Sequence, residues 1–327
     1  MVSLISSIKA NIVNNYKNAE PLKTASKANE ANLFGLKNSE ENALFELNFD
    51  ETITPQAPKY KAGNYGNFTK HAGNGKFDAD AIQGQIGDCG LLSTLRALRN
   101  SEGGQKAVGE IMSYSADTGE WSFNFKTKDF DGTNPIVVTQ AEIDQAIAEK
   151  RVSKGDDDIT AMELAVEKYL QQIGDNGTQD NTVKQIFDIQ NKSRNARIAA
   201  GAEDKGYLDG ISPYIGYIFT GSIPKPLHTY DSNQQLAAEA LESFDKSTDM
   251  LIFSQIQSGD VASGGDNPFL MLGDDQILGN HAYTVCDVEG DNVILRESNN
   301  PSETITVTKE ELLNCEGKNS LYVYSAK

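Results

Sequence analysis

The stretch Gln83 to Asn100, QGQIGDCGLLSTLRALRN, is a glycine-rich turn that runs straight into an apolar periodic segment. Leu91, Leu92, Leu95 and Leu98 recur at three- and four-residue steps, the stripe of a buried helix. Asp88 stands at the N-cap position of that helix. Cys89 then falls in the first turn, among unpaired backbone N–H groups at the positive end of the macrodipole, where a thiolate is favoured over a thiol. Gly84 and Gly87 permit close approach of the backbone to a substrate, and the Gln83 side-chain amide can donate to a developing oxyanion. A buried free cysteine at a helix start fits these residues as well as a nucleophile does, because free cysteine is among the most buried residue types.

Composition narrows the classes. The chain has 327 residues, 38% hydrophobic and 23% charged, enough for one large domain or two ordinary ones. Its 47 acids against 29 bases give a net charge of −18, which disfavours nucleic-acid binding. Cys89, Cys286 and Cys315 form no C-x-x-C pair, so neither a disulfide framework nor a zinc site is indicated. The N-terminal apolar runs are broken by Lys9 and Asn11, unlike a secretory signal, and no stretch approaches the about eighteen apolar residues of a membrane span. The expectation is a soluble protein, cytoplasmic or exported without a cleavable signal.

Residues 1–75 read as a polar extension, with a short amphipathic helix over 2–13 and a Gly/Asn-rich connector from Gly63 to Gly75 that holds the loop histidine His71. It is a flexible extension, a propeptide or a delivery segment. Further on, Gln105–Tyr114 reads as a helix, and WSFNFKT alternates as a half-buried strand pairing with Ile136–Val138. Capping boxes at Thr139-x-x-Glu142 and Thr160-x-x-Glu163 open two helices, the second ending at Gly174. The acidic groups Asp129-Phe-Asp131-Gly132 and Asp156–Asp158 lack the spacing of an EF-hand, so calcium has no specific motif, and Asp156–Asp158 supply negative charge at a helix N-terminus. A helix over 183–198, another over 236–244 and a buried strand over 250–257 follow.

Two histidines compete as a catalytic base. His228 lies among Pro224, Pro226 and Tyr230 without an orienting partner. His281 starts a strand after the turn Gly279-Asn280, ahead of the hairpin signal Glu289-Gly290-Asp291-Asn292 and a second strand over 293–296. Regular alternation places Cys286 on the face opposite His281, Tyr283 and Val285, in the core, and leaves Cys315 structural or exposed.

Gln83-Gly84-x-x-Gly87-Asp88-Cys89 resembles the active-site segment of calpain-type cysteine peptidases, which are papain-like, and Gly279-Asn280-His281-Ala282-Tyr283-Thr284-Val285 is similar to the family's histidine segment. Asn300-Pro301 resembles its Asn-Pro-Trp. Gly90 and Ser302 stand where the family has tryptophans, and weaker likeness lies in AMELAVEKY and at Thr220-Gly221. The resemblance implies a papain-like α+β core over residues 76–327, with a helical lobe at 76–210 carrying Cys89 and an antiparallel β lobe at 211–327 carrying His281. It implies a cysteine endopeptidase acting on protein or peptide substrates. Cys89 is then the nucleophile, His281 the base, Asn300 the residue orienting it with Asn299 as rival, and Gln83 an oxyanion donor. No cofactor is required. The same acyl chemistry serves a deamidase or transglutaminase acting on protein glutamine, and loss of both tryptophans fits a non-catalytic binding module.

Overall fold

In the computed structural model, which describes residues 61–199, 201–255, 269–272, 275–315 and 317–325, the run Met250–Gln255 is buried on both sides. Met250 and Ile252 join one hydrophobic core while Leu251 and Phe253 join a second, which is why this strand shows no polar alternation. The helices are α1 Cys89–Asn100, α2 Glu102–Ile111, α3 Gln140–Ala148, α4 Asp157–Asn176, α5 Asn181–Ala199, α6 Tyr217–Thr220, α7 Gln234–Glu242 and α8 Lys309–Leu313. The strands are β1 Ala81–Ile82, β2 Met112–Ser115, β3 Glu120–Phe123, β4 Ile136–Thr139, β5 Lys154–Gly155, β6 Lys225–His228, β7 Asp249–Gln255, β8 Phe269–Leu272, β9 Asp275–Leu278, β10 His281–Glu289, β11 Asn292–Glu297, β12 Ile305–Thr308 and β13 Ser320–Ser325. The chain is therefore α+β. Among the described residues, no helix is long and apolar enough to cross a membrane.

The principal sheet is antiparallel, in the order β12-β11-β10-β7-β13-β6. One face receives α1. Ser93 Oγ donates to the Ala282 carbonyl at 2.9 Å, and Thr284 Oγ1 donates to the Ser93 carbonyl at 3.0 Å, fixing α1 along β10. The other face is covered by α7 and α8, where Ala237, Leu241 and Leu312 pack on Leu251, Tyr283, Val285 and Leu295. The β10–β11 hairpin is irregular. Pairing runs regularly from Glu289↔Asn292 to Asp287↔Ile294, then shifts at Cys286 so that Tyr283 opposes Glu297. A bulge of this kind turns the following residues to the other face.

A smaller sheet, β2-β3-β4, packs on α4. The strand expected over 121–127 is β3, and it ends at Phe123; the helix expected to reach Tyr114 gives way to β2 at Met112. The Thr139–Glu142 capping box forms as expected. Thr160–Glu163 does not, because α4 begins earlier: Asp156 is its N-cap, accepting from Asp158 N at 3.0 Å, and Glu163 accepts from Ser153 N at 3.0 Å. The helix runs past Gly174 to Asn176 and stops at Gly177, whose φ of 77° suits glycine.

Residues 61–80 are laid against this body. Gly63 N donates to the Asn299 carbonyl at 2.9 Å, Tyr65 Oη to the Val152 carbonyl at 3.0 Å and His71 N to the Gly155 carbonyl at 2.7 Å. The Gly63–Gly75 segment is thus part of the body, and no boundary falls at residue 75; the helix expected over 2–13 lies outside the described residues.

Fully buried Asp158 anchors this segment, accepting from Gly75 N at 3.1 Å, Phe77 N at 3.0 Å and Trp121 Nε1 at 2.6 Å. Asp158→Ala leaves those donors without an acceptor in a dry site. It should destabilise the fold by on the order of 4 kcal/mol in urea unfolding, and a loss below about 1 kcal/mol would refute the anchoring role.

Candidate active site

Cys89 opens α1 at the end of the helix that lies on the start of β10. The Ala282 backbone N–H approaches its sulfur; His281 precedes Ala282 in β10, its ring on the face shared with Tyr283. The His281 ring is buried, and its Nε2 lies 3.5 Å from Glu297 Oε2, with both side chains nearly inaccessible to water. The bulge at Cys286 is what brings them together, because it puts Glu297 on the same sheet face as Tyr283 and His281. Tyr283 completes the wall: its ring meets the imidazole edge-on at 5.1 Å, and its hydroxyl both donates to the Leu278 carbonyl and accepts from Leu278 N at 2.8 Å.

Asn300 does not take the orienting place that the sequence suggested. Its Nδ2 donates to the Lys61 carbonyl at 2.8 Å and its Oδ1 accepts from Ser302 Oγ at 2.9 Å, so its amide fastens residue 61 instead. The rival Asn299 meets Gly63 through its carbonyl. Gln83 remains in the turn before Cys89, its backbone N bonded to the Ser298 carbonyl at 2.8 Å. Its Nε2 donates to the Ile86 carbonyl at 2.7 Å, leaving one amide N–H for another acceptor. His228 sits on edge strand β6, separated from β10 by β13 and β7, with Nδ1 2.8 Å from Ser320 Oγ. Among the described residues, no group of three metal-ligating side chains converges.

The glycines of the turn serve the protein's own backbone. A Cβ at Gly84 would meet the Val152 carbonyl oxygen at 2.5 Å, and one at Gly90 would meet that of Ile211 at 2.0 Å. The segment 211–213 therefore crosses where the resemblance would have put a tryptophan, and only glycine fits. Asp88 sits at the N-cap but caps nothing with its side chain. It is buried against Glu163, and desolvation and the Glu163 charge raise it well above the ordinary carboxylate range.

Electrostatics at the nucleophile also depart from the sequence expectation. Burial pushes the Cys89 thiol up to about 12, with the Asp88 and Asp209 charges adding to the effect, and this outweighs the favourable helix N-terminus. Burial likewise lowers His281 to about 3, helped by the Arg96 guanidinium. The resting pair is therefore a neutral thiol and a neutral imidazole. Such an imidazole has a free lone pair near pH 7 but is a far weaker base than a histidine in water.

The chain matches no family model and no curated protein.

Proposed function

We propose that the chain is a cysteine endopeptidase with a papain-like two-lobed core. The observation that supports this reading is a buried imidazole and a buried carboxylate 3.5 Å apart on β10 and β11, one residue along from Ala282, whose backbone lies by the helix-start thiol of Cys89. With Glu297 facing Nε2, Nδ1 of His281 is the nitrogen left for the thiol proton. The sulfur attacks the peptide carbonyl as its proton passes to Nδ1, and the Glu297 carboxylate stabilises the imidazolium that forms. The proton then goes to the leaving amine, and water hydrolyses the thioester. Gln83 and a backbone N–H of the α1 first turn supply the oxyanion donors. The charge pair arises only as the substrate enters, which accommodates the neutral resting state.

That neutral state also favours a second reading, a core that binds a partner without turnover. Wild type and Cys89→Ala are to be incubated with a protein substrate and an epoxide cysteine-peptidase inhibitor, and followed by intact mass. Cleavage together with an adduct on Cys89, both absent in the variant, is the expected result. Ammonia release from a glutamine-containing protein without new N-termini would shift the assignment to acyl transfer. No product, and alkylation of Cys89 by iodoacetamide no faster than a small free thiol, would leave the binding module.

A further inference from the structure

At the end of α1 remote from Cys89, three guanidiniums surround one carboxylate. Arg96 Nε lies 3.0 Å and Arg99 Nη1 2.8 Å from Asp80 Oδ1, and Arg296 Nη1 lies 3.1 Å from Asp80 Oδ2. Among the described ion pairs, Asp80 is the sole carboxylate that these arginines share, so the group carries two uncompensated positive charges. Cys286 adjoins it, and burial pushes its thiol up, so that it supplies no negative charge. Asn100 Nδ2 approaches its sulfur at 3.7 Å.

Part of the cluster is explained by architecture. It ties α1 to β11 and to the residues before β1, and Arg99 sits in the last turn of α1, where cations are favoured. Two donors fall outside that account. Arg96 Nη1 and Arg296 Nε are buried and have no hydrogen-bond acceptor, although Arg96 as a whole is only 2% exposed. A buried, charged donor without an acceptor is costly and calls for an ion or water. The Arg296 side chain keeps 28% of its surface and Asp80 22%, so the cluster opens to solvent on one side.

We propose that Arg96, Arg99 and Arg296 bind a small tetrahedral oxyanion of the phosphate or sulfate type, held by the donors that Asp80 leaves unused. Planar guanidiniums suit such an ion, pairing two N–H groups with two oxygens. The net charge of −18 repels anions in general, so selective uptake of one must come from a local site.

The test is thermal unfolding of the full chain titrated with sodium phosphate, with ionic strength held constant by sodium chloride. A rise of about 3 °C at tenfold the dissociation constant, continuing with the logarithm of phosphate concentration, is expected. It should vanish in Arg296→Gln and persist in Arg194→Gln, whose guanidinium pairs with Asp204 on a different surface. No rise beyond that in the sodium chloride control, or one that is unchanged in Arg296→Gln, overturns the site. Equilibrium dialysis of radiolabelled phosphate against wild type provides the check should Arg296→Gln fail to fold. Uptake of about one phosphate per chain supports the site, and no saturable uptake overturns it.

Discussion

Glu297→Ala should lower kcat/KM on a peptide substrate by about 1,000- to 10,000-fold, the scale seen when the acid partner of a catalytic histidine is removed, while Asn300→Ala leaves it nearly unchanged. In the proposed mechanism the carboxylate, 3.5 Å from His281 Nε2, offsets the positive charge the ring gains during attack. The Asn300 amide instead holds the Lys61 carbonyl, so its loss should appear in the melting temperature rather than in turnover. Glu297→Gln keeps the shape and removes the charge, and should fall between. The measurement is steady-state cleavage of a fluorogenic peptide, normalised to the number of reactive thiols. An active Glu297→Ala together with an inactive Asn300→Ala would return the orienting role to the asparagine.

The second large effect is on acid stability. An unfolded histidine takes up a proton near pH 6.5, whereas folded His281 resists protonation down to about 3. Between those values the unfolded chain binds more protons, so stability is present above pH 6.5 and is lost as pH falls. The loss is about 5 kcal/mol in total, at about 1.4 kcal/mol per pH unit. Asp88 acts in the opposite sense, because its raised folded-state pKa contributes stability at low pH that is lost as pH rises above the ordinary carboxylate range. The difference between wild type and His281→Phe isolates the histidine, since Asp88 is common to both. Urea unfolding from pH 7 to pH 4 should show a steep wild-type acid limb and a flatter one in His281→Phe. Parallel limbs would mean that His281 is already protonated, or hydrated, in the folded state.

Much of the framework could be read from residue order. The stripe Leu91–Leu98 gave α1, the Thr139 capping box gave α3, and the Gly290 turn gave the hairpin whose first strand starts at His281. These signals are local, and local chemistry decides them. What escaped was decided by distant chain. Asp88 looked like a cap until Glu163, from a helix far along the sequence, buried it. Gly90 looked like the loss of a packing ring until the Ile211 carbonyl occupied its place. Thr160 looked like a helix start, but Asp156 had already begun one. Glu297 was missed for a subtler reason. Counting back from the turn through a regular ladder sets it opposite Thr284, on the α1 face and away from His281. Only the extra residue at Cys286, which no local pattern announces, turns it round.

The same extra residue sets a rule on length. Hairpin tips ordinarily tolerate insertion and deletion, because added residues leave the flanking strands paired as before. Here an odd change anywhere in one arm of the β10–β11 hairpin would send either the imidazole or the carboxylate to the opposite side of the sheet. The segment from His281 to Glu297 is therefore constrained in the number of its residues more tightly than in their identity. In descendants of this chain Asp291 is free to vary in kind, Gly290 keeps its glycine for its φ of 61°, and the spacing between His281 and Glu297 stays fixed or the two part company.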